Sequence, residues 1–220
     1  VIESLPGFAL HGVCTTREES ARKAAAVFGA GIWTTSHEDL SAHSEIDAIA
    51  ICVKAPSHYE IAKAALQAGK HVYCEWPLAI TVAQAKELAA LAASGGARTI
   101  IGLHLRGSPV MRQAARMIAE GFVGQVYNVS LHARLFGPVM RAMALRSGGS
   151  TLHSIYGGHL LDALDHYFGG IAEIAMRGGS TCRRSTRRGT RYRATLSIMC
   201  SSTVCWPTVR CSMSTSPGCR

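Results

Sequence analysis

Two short turns and one histidine–carboxylate pair are the places where this chain of 220 residues could do chemistry. Lys54–His58 (KAPSH) follows an apolar run from Ile46 to Val53, and Glu75-Trp76-Pro77 follows a shorter run from His71 to Cys74. Both runs read as strands of a parallel sheet, the first apolar enough to be covered on both faces. A helix lies between them, started by a capping box of Ser57 and Glu60 behind Pro56 and stopped at Gly69. The two turns therefore sit at strand C-terminal ends, the edge where open α/β sheets bind ligands. Farther along, His159 and Asp162 are three apart, on one face if a helix runs from Leu160 onward, where the carboxylate could orient the imidazole. A histidine at a helix start also caps or packs without doing chemistry, and both readings stand. The same holds for Arg106, which is either a ligand contact or surface decoration before a helix.

The elements that must hold these residues follow from periodicity. Val1 to Gly7 resembles a helix end, and Phe8 to Cys14 a short strand; Thr16 and Glu19 form a capping box for a helix to Phe28. Thr81 to Ser94 reads as a helix with Val82, Ala85, Leu88 and Leu91 on one face, and Thr99 to Leu103 as a buried strand. Ser108 as N-cap and Pro109 at the first helical position open a further helix that Gly121 ends. From Gln125 the pattern changes to an alternation of Tyr127, Val129, Leu131 and Ala133 with polar residues, a half-buried strand. The expected fold is thus a partial, Rossmann-like doubly wound parallel sheet over residues 1–123. An incomplete α+β domain with an open, mostly antiparallel sheet follows over 124–176, with an anomalous tail over 177–220.

The wording of these turns resembles the glucose-fructose oxidoreductase, inositol dehydrogenase and MocA family. Pro56, His58, Gly69-Lys70-His71-Val72 and Glu75-Trp76-Pro77 stand where that family has its Pro, His, GKHV and Glu-Lys-Pro turn. Gly148-Gly149 followed by Gly157, His159 and Asp162 matches its second signature. The resemblance implies a nicotinamide-dinucleotide domain and a substrate domain, with His159 as the acid/base and Arg106, His159 and Asp162 near the substrate. It also implies that Val53, Lys54, Pro56, His58, Glu75 and Trp76 skirt the cofactor. Two positions depart from the pattern: Trp76 replaces the lysine that serves as acid/base, and indole cannot exchange a proton; Ile155 replaces the first aspartate. The Glu-Trp turn is similar to the galactose-pathway repressor branch, which binds dinucleotide as a sensor.

In the resembled family the strand ending at Cys14 is the second of the sheet. A carboxylate after it would suit NAD, whereas Thr15, Thr16 and Arg17 suit the 2′-phosphate of NADP, so NADP is favoured over NAD. The sequence contains no GxGxxG phosphate loop, and the chain is expected to begin inside the domain and to bind dinucleotide weakly.

The net charge of +9 arises in the tail: every acidic residue lies at or before Glu173, and residues 177–220 carry nine arginines and no acid. The basicity therefore does not mark the body as nucleic-acid-binding. Five of the eight cysteines crowd the same tail at irregular spacings without a histidine, which argues against a metal site. A shifted reading frame accounts for this composition. Read one base out of register, Met199-Cys200 must spell Val, Cys205-Trp206 Leu and Trp206-Pro207 Ala, and GC-rich codons for the rest yield a strand, Asp-Gly turn, strand pattern. No apolar stretch reaches bilayer length and no leader is evident. The expectation is a cytoplasmic NAD(P)-dependent oxidoreductase acting on a sugar-like or polyol hydroxyl. It has no nucleic-acid or membrane partner and forms a homo-oligomer through the second-domain sheet; the alternative is a dinucleotide-binding regulator without turnover.

Overall fold

A computed structural model of the chain describes residues 2–133, 150–151, 153–169, 171, 173–183, 191–202 and 206–214. They fall into two units, Val1–Gly102 and Leu103–Arg220.

In the first unit apolar runs alternate with amphipathic ones, which makes strands joined by helical crossovers. β1 (Gly12–Cys14) leads through α1 (Glu18–Phe28) to β2 (Ile32–Thr34), which pairs parallel to it. After α2 (His37–Ala42) come β3 (Ala48–Ile51), α3 (His58–Gln67), β4 (His71–Glu75), α4 (Val82–Gly95) and β5 (Thr99–Gly102). The last three strands form a parallel sheet in the order β3-β4-β5. This is the Rossmann-like α/β arrangement expected from the sequence.

The core lies on one face of that sheet. Ile49 and Ile51 of β3 and Val72 and Cys74 of β4 pack with Ala62, Ala65 and Leu66 of α3 and with Leu88 and Ala92 of α4. The other face differs from the two-sided cover expected of Ile46–Val53. Ala50, Tyr73 and Ile100 stand in register across three strands and are exposed, Ile100 to 63%. The residues turned to that side of β3 are alanines, which expose little apolar area without cover, so an unbroken apolar run does not by itself require a second helical layer. Gly102 serves this face: a Cβ there would meet the Tyr73 hydroxyl at 2.6 Å, so glycine lets the phenol lie across β5.

Helix starts follow local hydrogen bonding more than sequence motif. Neither capping box expected at Thr16/Glu19 and Ser57/Glu60 forms. The N-cap of α1 is Arg17 without a side-chain cap, and the Thr15 hydroxyl donates to the Arg17 carbonyl at 2.9 Å instead. A 3-10 turn, Ala55–Ser57, precedes α3, and the Ser57 amide is already bonded to the Lys54 carbonyl, which closes the chain tightly without the serine hydroxyl. A capping box is present at Thr81/Gln84, where α4 begins. At the N-terminus a 3-10 turn, Ile2–Ser4, stands where a helix end was expected.

The second unit opens with α5 (His104–Gly107) and α6 (Pro109–Ala119), the latter capped by Ser108, whose Oγ accepts from the Met111 amide. β6 (Ser130–Ala133) follows, then a π-helical turn, His153–Gly157, running into α7 (Gly158–Phe168). β7 (Glu173–Arg183), β8 (Arg191–Ser202) and β9 (Trp206–Ser214) complete a four-stranded sheet in the order β6-β9-β8-β7. It is antiparallel except for the β6/β9 pair, which agrees with the mostly antiparallel sheet expected. Its strands run through residues 177–183, 191–202 and 206–214 of the tail, which carries no regular apolar alternation. Ladder formation uses main-chain N–H and C=O groups, so a segment without alternation can still pair. Gly148, Gly149, Cys205 and Cys219 lie outside the described residues. Among the described residues no helix is long and apolar enough to cross a membrane.

Replacement of Ile51, 1% exposed in the core, by alanine is expected to destabilise the first unit by about 3 kcal/mol. Ile100→Ala on the open face is expected to cost under about 1 kcal/mol. Urea unfolding of both variants checks the contrast, and equal losses would show that the open face is covered.

Candidate functional site

The two turns named by the sequence meet through His58. Its ring is 1% exposed, with Nδ1 2.7 Å from the Pro77 carbonyl oxygen and Nε2 2.9 Å from the Val53 carbonyl oxygen. Carbonyls only accept, so a ring protonated on both nitrogens donates to both and a neutral ring to one. Either way the imidazole spans the ends of β3 and β4 and ties the Cys52–Ser57 turn to the Glu75–Pro77 turn. Its polar atoms are committed to main chain, and what it presents to a ligand is the shape of the edge it holds.

Around that tie the expected cofactor-contacting residues line the C-terminal edge of the sheet. Val53, Lys54, Pro56 and Glu75 are exposed and Trp76 is half-buried; the Trp76–Pro77 peptide is cis. The thiols beside them are shifted toward the protonated form. Burial and then Cys52 and Glu75 push Cys74 up to about 12, and burial followed by Glu75 raises Cys52. At the end of β1, Thr16 and Arg17 are exposed, while the Thr15 hydroxyl is 2.6 Å from that of Ser20, and both hydroxyls bond the Arg17 carbonyl. The loop is thus held by its own hydroxyls, with the Arg17 side chain facing solvent.

The second unit gathers the other expected residues on α5 and α7. Arg106 grips Asp162 with two nitrogens: Nε donates to Oδ1 at 3.1 Å and Oδ2 at 2.9 Å, and Nη2 donates to Oδ1. This is the forked geometry that makes arginine–carboxylate pairs directional. The hydrogen-bonded carboxylate raises the Arg106 guanidinium further above its ordinary range. The Asp162 carboxylate that could have oriented His159 is therefore engaged by Arg106. Tyr167, one turn and a half further on, donates its hydroxyl to the Leu105 and Arg106 carbonyls at 3.0 and 2.9 Å, a second strap between the helices.

His159 is buried at 9% exposure, one residue into α7, and its ring stands 4.3 Å from that of His104 at a tilt of 58°. Burial first, then His104, lower its pKa from 6.5, while Asp162 acts in the opposite sense. A neutral imidazole is a proton acceptor at neutral pH. Ile155 is half-buried in the preceding π-helical turn. Sequence reasoning missed His104 and Tyr167. His104 follows the end of β5, the same kind of position as Lys54 and Glu75, and that placement was the available signal; nothing in the sequence marks Tyr167.

A parallel α/β unit with its exposed polar turns at the strand C-terminal edge is a Rossmann-type nucleotide-binding fold. Residues 1–103 match the Gfo/Idh/MocA model, the oxidoreductase family with an NAD-binding Rossmann fold. The chain is 33% identical over 138 residues to the 1,5-anhydro-D-fructose reductase of Ensifer adhaerens, covering 63% of this chain and 40% of that protein. It is 28% identical over 184 residues to the galactose/lactose metabolism regulatory protein GAL80 of Kluyveromyces lactis, covering 75% of this chain and 40% of the relative. The chain thus spans about two fifths of the length of these curated relatives. In fold it is similar to a crystal structure of myo-inositol 2-dehydrogenase from Lactobacillus plantarum. That likeness has a TM-score of 0.80 at 18% identity and covers 99% of this chain and 65% of the other.

His58→Ala is expected to destabilise the first unit by about 3 kcal/mol, since it leaves a void and removes the ring that bridges the Pro77 and Val53 carbonyls. Lys54→Ala, at the same edge but exposed, is expected to change stability by under about 0.5 kcal/mol. Thermal unfolding of the pair checks the tie, and an unchanged midpoint for His58→Ala would remove it from the account.

Proposed function

We propose that the protein is a nicotinamide-dinucleotide-dependent oxidoreductase acting on a sugar-like or polyol hydroxyl. The observation that carries this is the sheet edge tied by His58, with Val53, Lys54, Pro56 and Glu75 open beside it, within residues that match an NAD-binding oxidoreductase family. That edge fits the nicotinamide half of the cofactor, which when bound supplies a two-electron hydride acceptor. Lys54 and Pro56 shape the rim, and Glu75 and Trp76 wall it. Thr15, Thr16 and Arg17 favour NADP over NAD, since the exposed Thr16 hydroxyl and Arg17 guanidinium, on a loop that Thr15 holds, suit a phosphate better than a ribose diol. In the second unit His159 takes the proton of the substrate hydroxyl on its neutral imidazole, and Arg106 and Asp162 hold the helices that carry it and contribute to substrate binding. The same reading makes the protein cytoplasmic, with no nucleic-acid or membrane partner, and a homo-oligomer through the β6-β9-β8-β7 sheet.

A second reading, a dinucleotide-binding regulator without turnover, is favoured by Trp76 and Ile155. These two apolar residues stand where the family pattern has proton-transferring groups, and the similarity to GAL80 points the same way. Nicotinamide absorbance with NADP and NAD over a panel of sugars and polyols separates the two. The enzyme reading expects slow, saturable reduction of NADP with at least one of them, abolished in His159→Ala. Saturable cofactor binding without turnover on any of them would replace the enzyme by the regulator.

A further inference from the structure

We propose that His104 is a positioning residue for His159: it fixes the ring across the α5–α7 contact and keeps that ring a neutral proton acceptor. The proposal rests on the acid/base role given to His159 above. The geometry points to it in three ways. First, the two rings are 4.3 Å apart at 58°, close enough that protons on both repel strongly. Second, the contact is built to persist. α5 is strapped to α7 on one side by Arg106 on Asp162 and on the other by the Tyr167 hydroxyl on the Leu105 and Arg106 carbonyls. A four-residue helix with two such straps cannot carry its first residue, His104, far from His159. Third, the two imidazoles differ in environment, His159 being buried and His104 exposed.

Among the described residues, the charged groups around His159 leave His104 as the one that opposes its proton. On α7 itself Asp162 favours the proton, but Arg106 engages its carboxylate. On α6, which also packs against α7, Arg112 donates to the Gly107 carbonyl and Arg116 to the Gln113 side chain. The π-helical turn before α7 contributes the hydroxyl of Tyr156. The consequence is that burial and the neighbouring imidazole act in the same sense on His159, both disfavouring a proton on its ring. For a dehydrogenation, where the base must be empty before the hydroxyl proton arrives, this extends activity to lower pH than an isolated histidine would.

The test is a proton NMR titration of the His159 ring in the full chain and in two variants, His104→Gln and His104→Lys, with the fold followed in the same spectra. His104→Gln removes the charge and keeps a polar side chain at an exposed site; the His159 pKa is expected to rise by roughly half a unit or more. His104→Lys restores a cation and is expected to return the value to the native one or below it. An unchanged or lower His159 pKa in His104→Gln, or equal shifts in both variants, would overturn the proposal and leave His104 as packing. The titration reads the pair whether or not the protein turns over a sugar, so absence of turnover bears on the function and leaves this result standing. Where turnover is found, the acidic limb of the rate profile is expected to move to higher pH in His104→Gln with KM little changed.

Discussion

The C-terminal edge of the first unit depends on one buried side chain. His58 lies at the start of α3, but its ring points back across the sheet ends, between the carbonyl that follows β3 and the carbonyl of Pro77 after β4. A parallel sheet leaves its strand-end carbonyls without ladder partners, and burying them unpaired is costly. An imidazole is long enough to reach two of them at once and rigid enough to fix their separation. The turns that carry Lys54, Pro56, Glu75 and Trp76 therefore come as one pre-formed edge. Binding residues placed on loops gain precision when a buried group of the scaffold holds the loops.

The second unit solves the matching problem with charge. The histidine proposed as acid/base, His159, is on α7, and the short α5 would not be stable as an isolated helix. The fork of Arg106 on Asp162 and the Tyr167 hydroxyl on two carbonyls hold α5 in place, so His104 meets His159. A residue that first reads as ligand-binding, Arg106, and one that first reads as an orienter of imidazole, Asp162, are here bonded to each other. The imidazole environment is then set by burial and by a second imidazole.

How far the sequence is legible depends on the range of the interaction. The parallel strands, their order of appearance and the placement of both turns at strand ends follow from apolar periodicity, which is local. Likewise the Ser108–Pro109 helix start and the stop at Gly29, an αL residue with φ 67°, follow from short-range chemistry. The capping box at Ser57 fails where the Lys54 carbonyl already takes the Ser57 amide, and at Thr16 the helix starts one residue later, behind Arg17, which motif spacing does not resolve. Contacts across 19 residues, as for His58 and Pro77, or 56, as for Arg106 and Asp162, have no local signature. The resemblance marked His58 and Asp162 as important and could not say that one serves carbonyls and the other an arginine. The open Ala50–Tyr73–Ile100 face is invisible for a similar reason, since apolar composition does not tell which face a helix will cover.

The central claim is that the edge tied by His58 is where a nicotinamide dinucleotide meets this chain. Amide chemical shifts of the nitrogen-15-labelled protein, titrated with NADPH and NADH to concentrations high enough for weak binding, test it most directly. The account expects perturbations concentrated in residues 52–58 and 75–77, with a further set at Thr15–Arg17 for NADPH alone, and their loss in a folded His58→Ala variant. Perturbations confined to the open Ala50–Tyr73–Ile100 face, or none at any cofactor concentration, would contradict it.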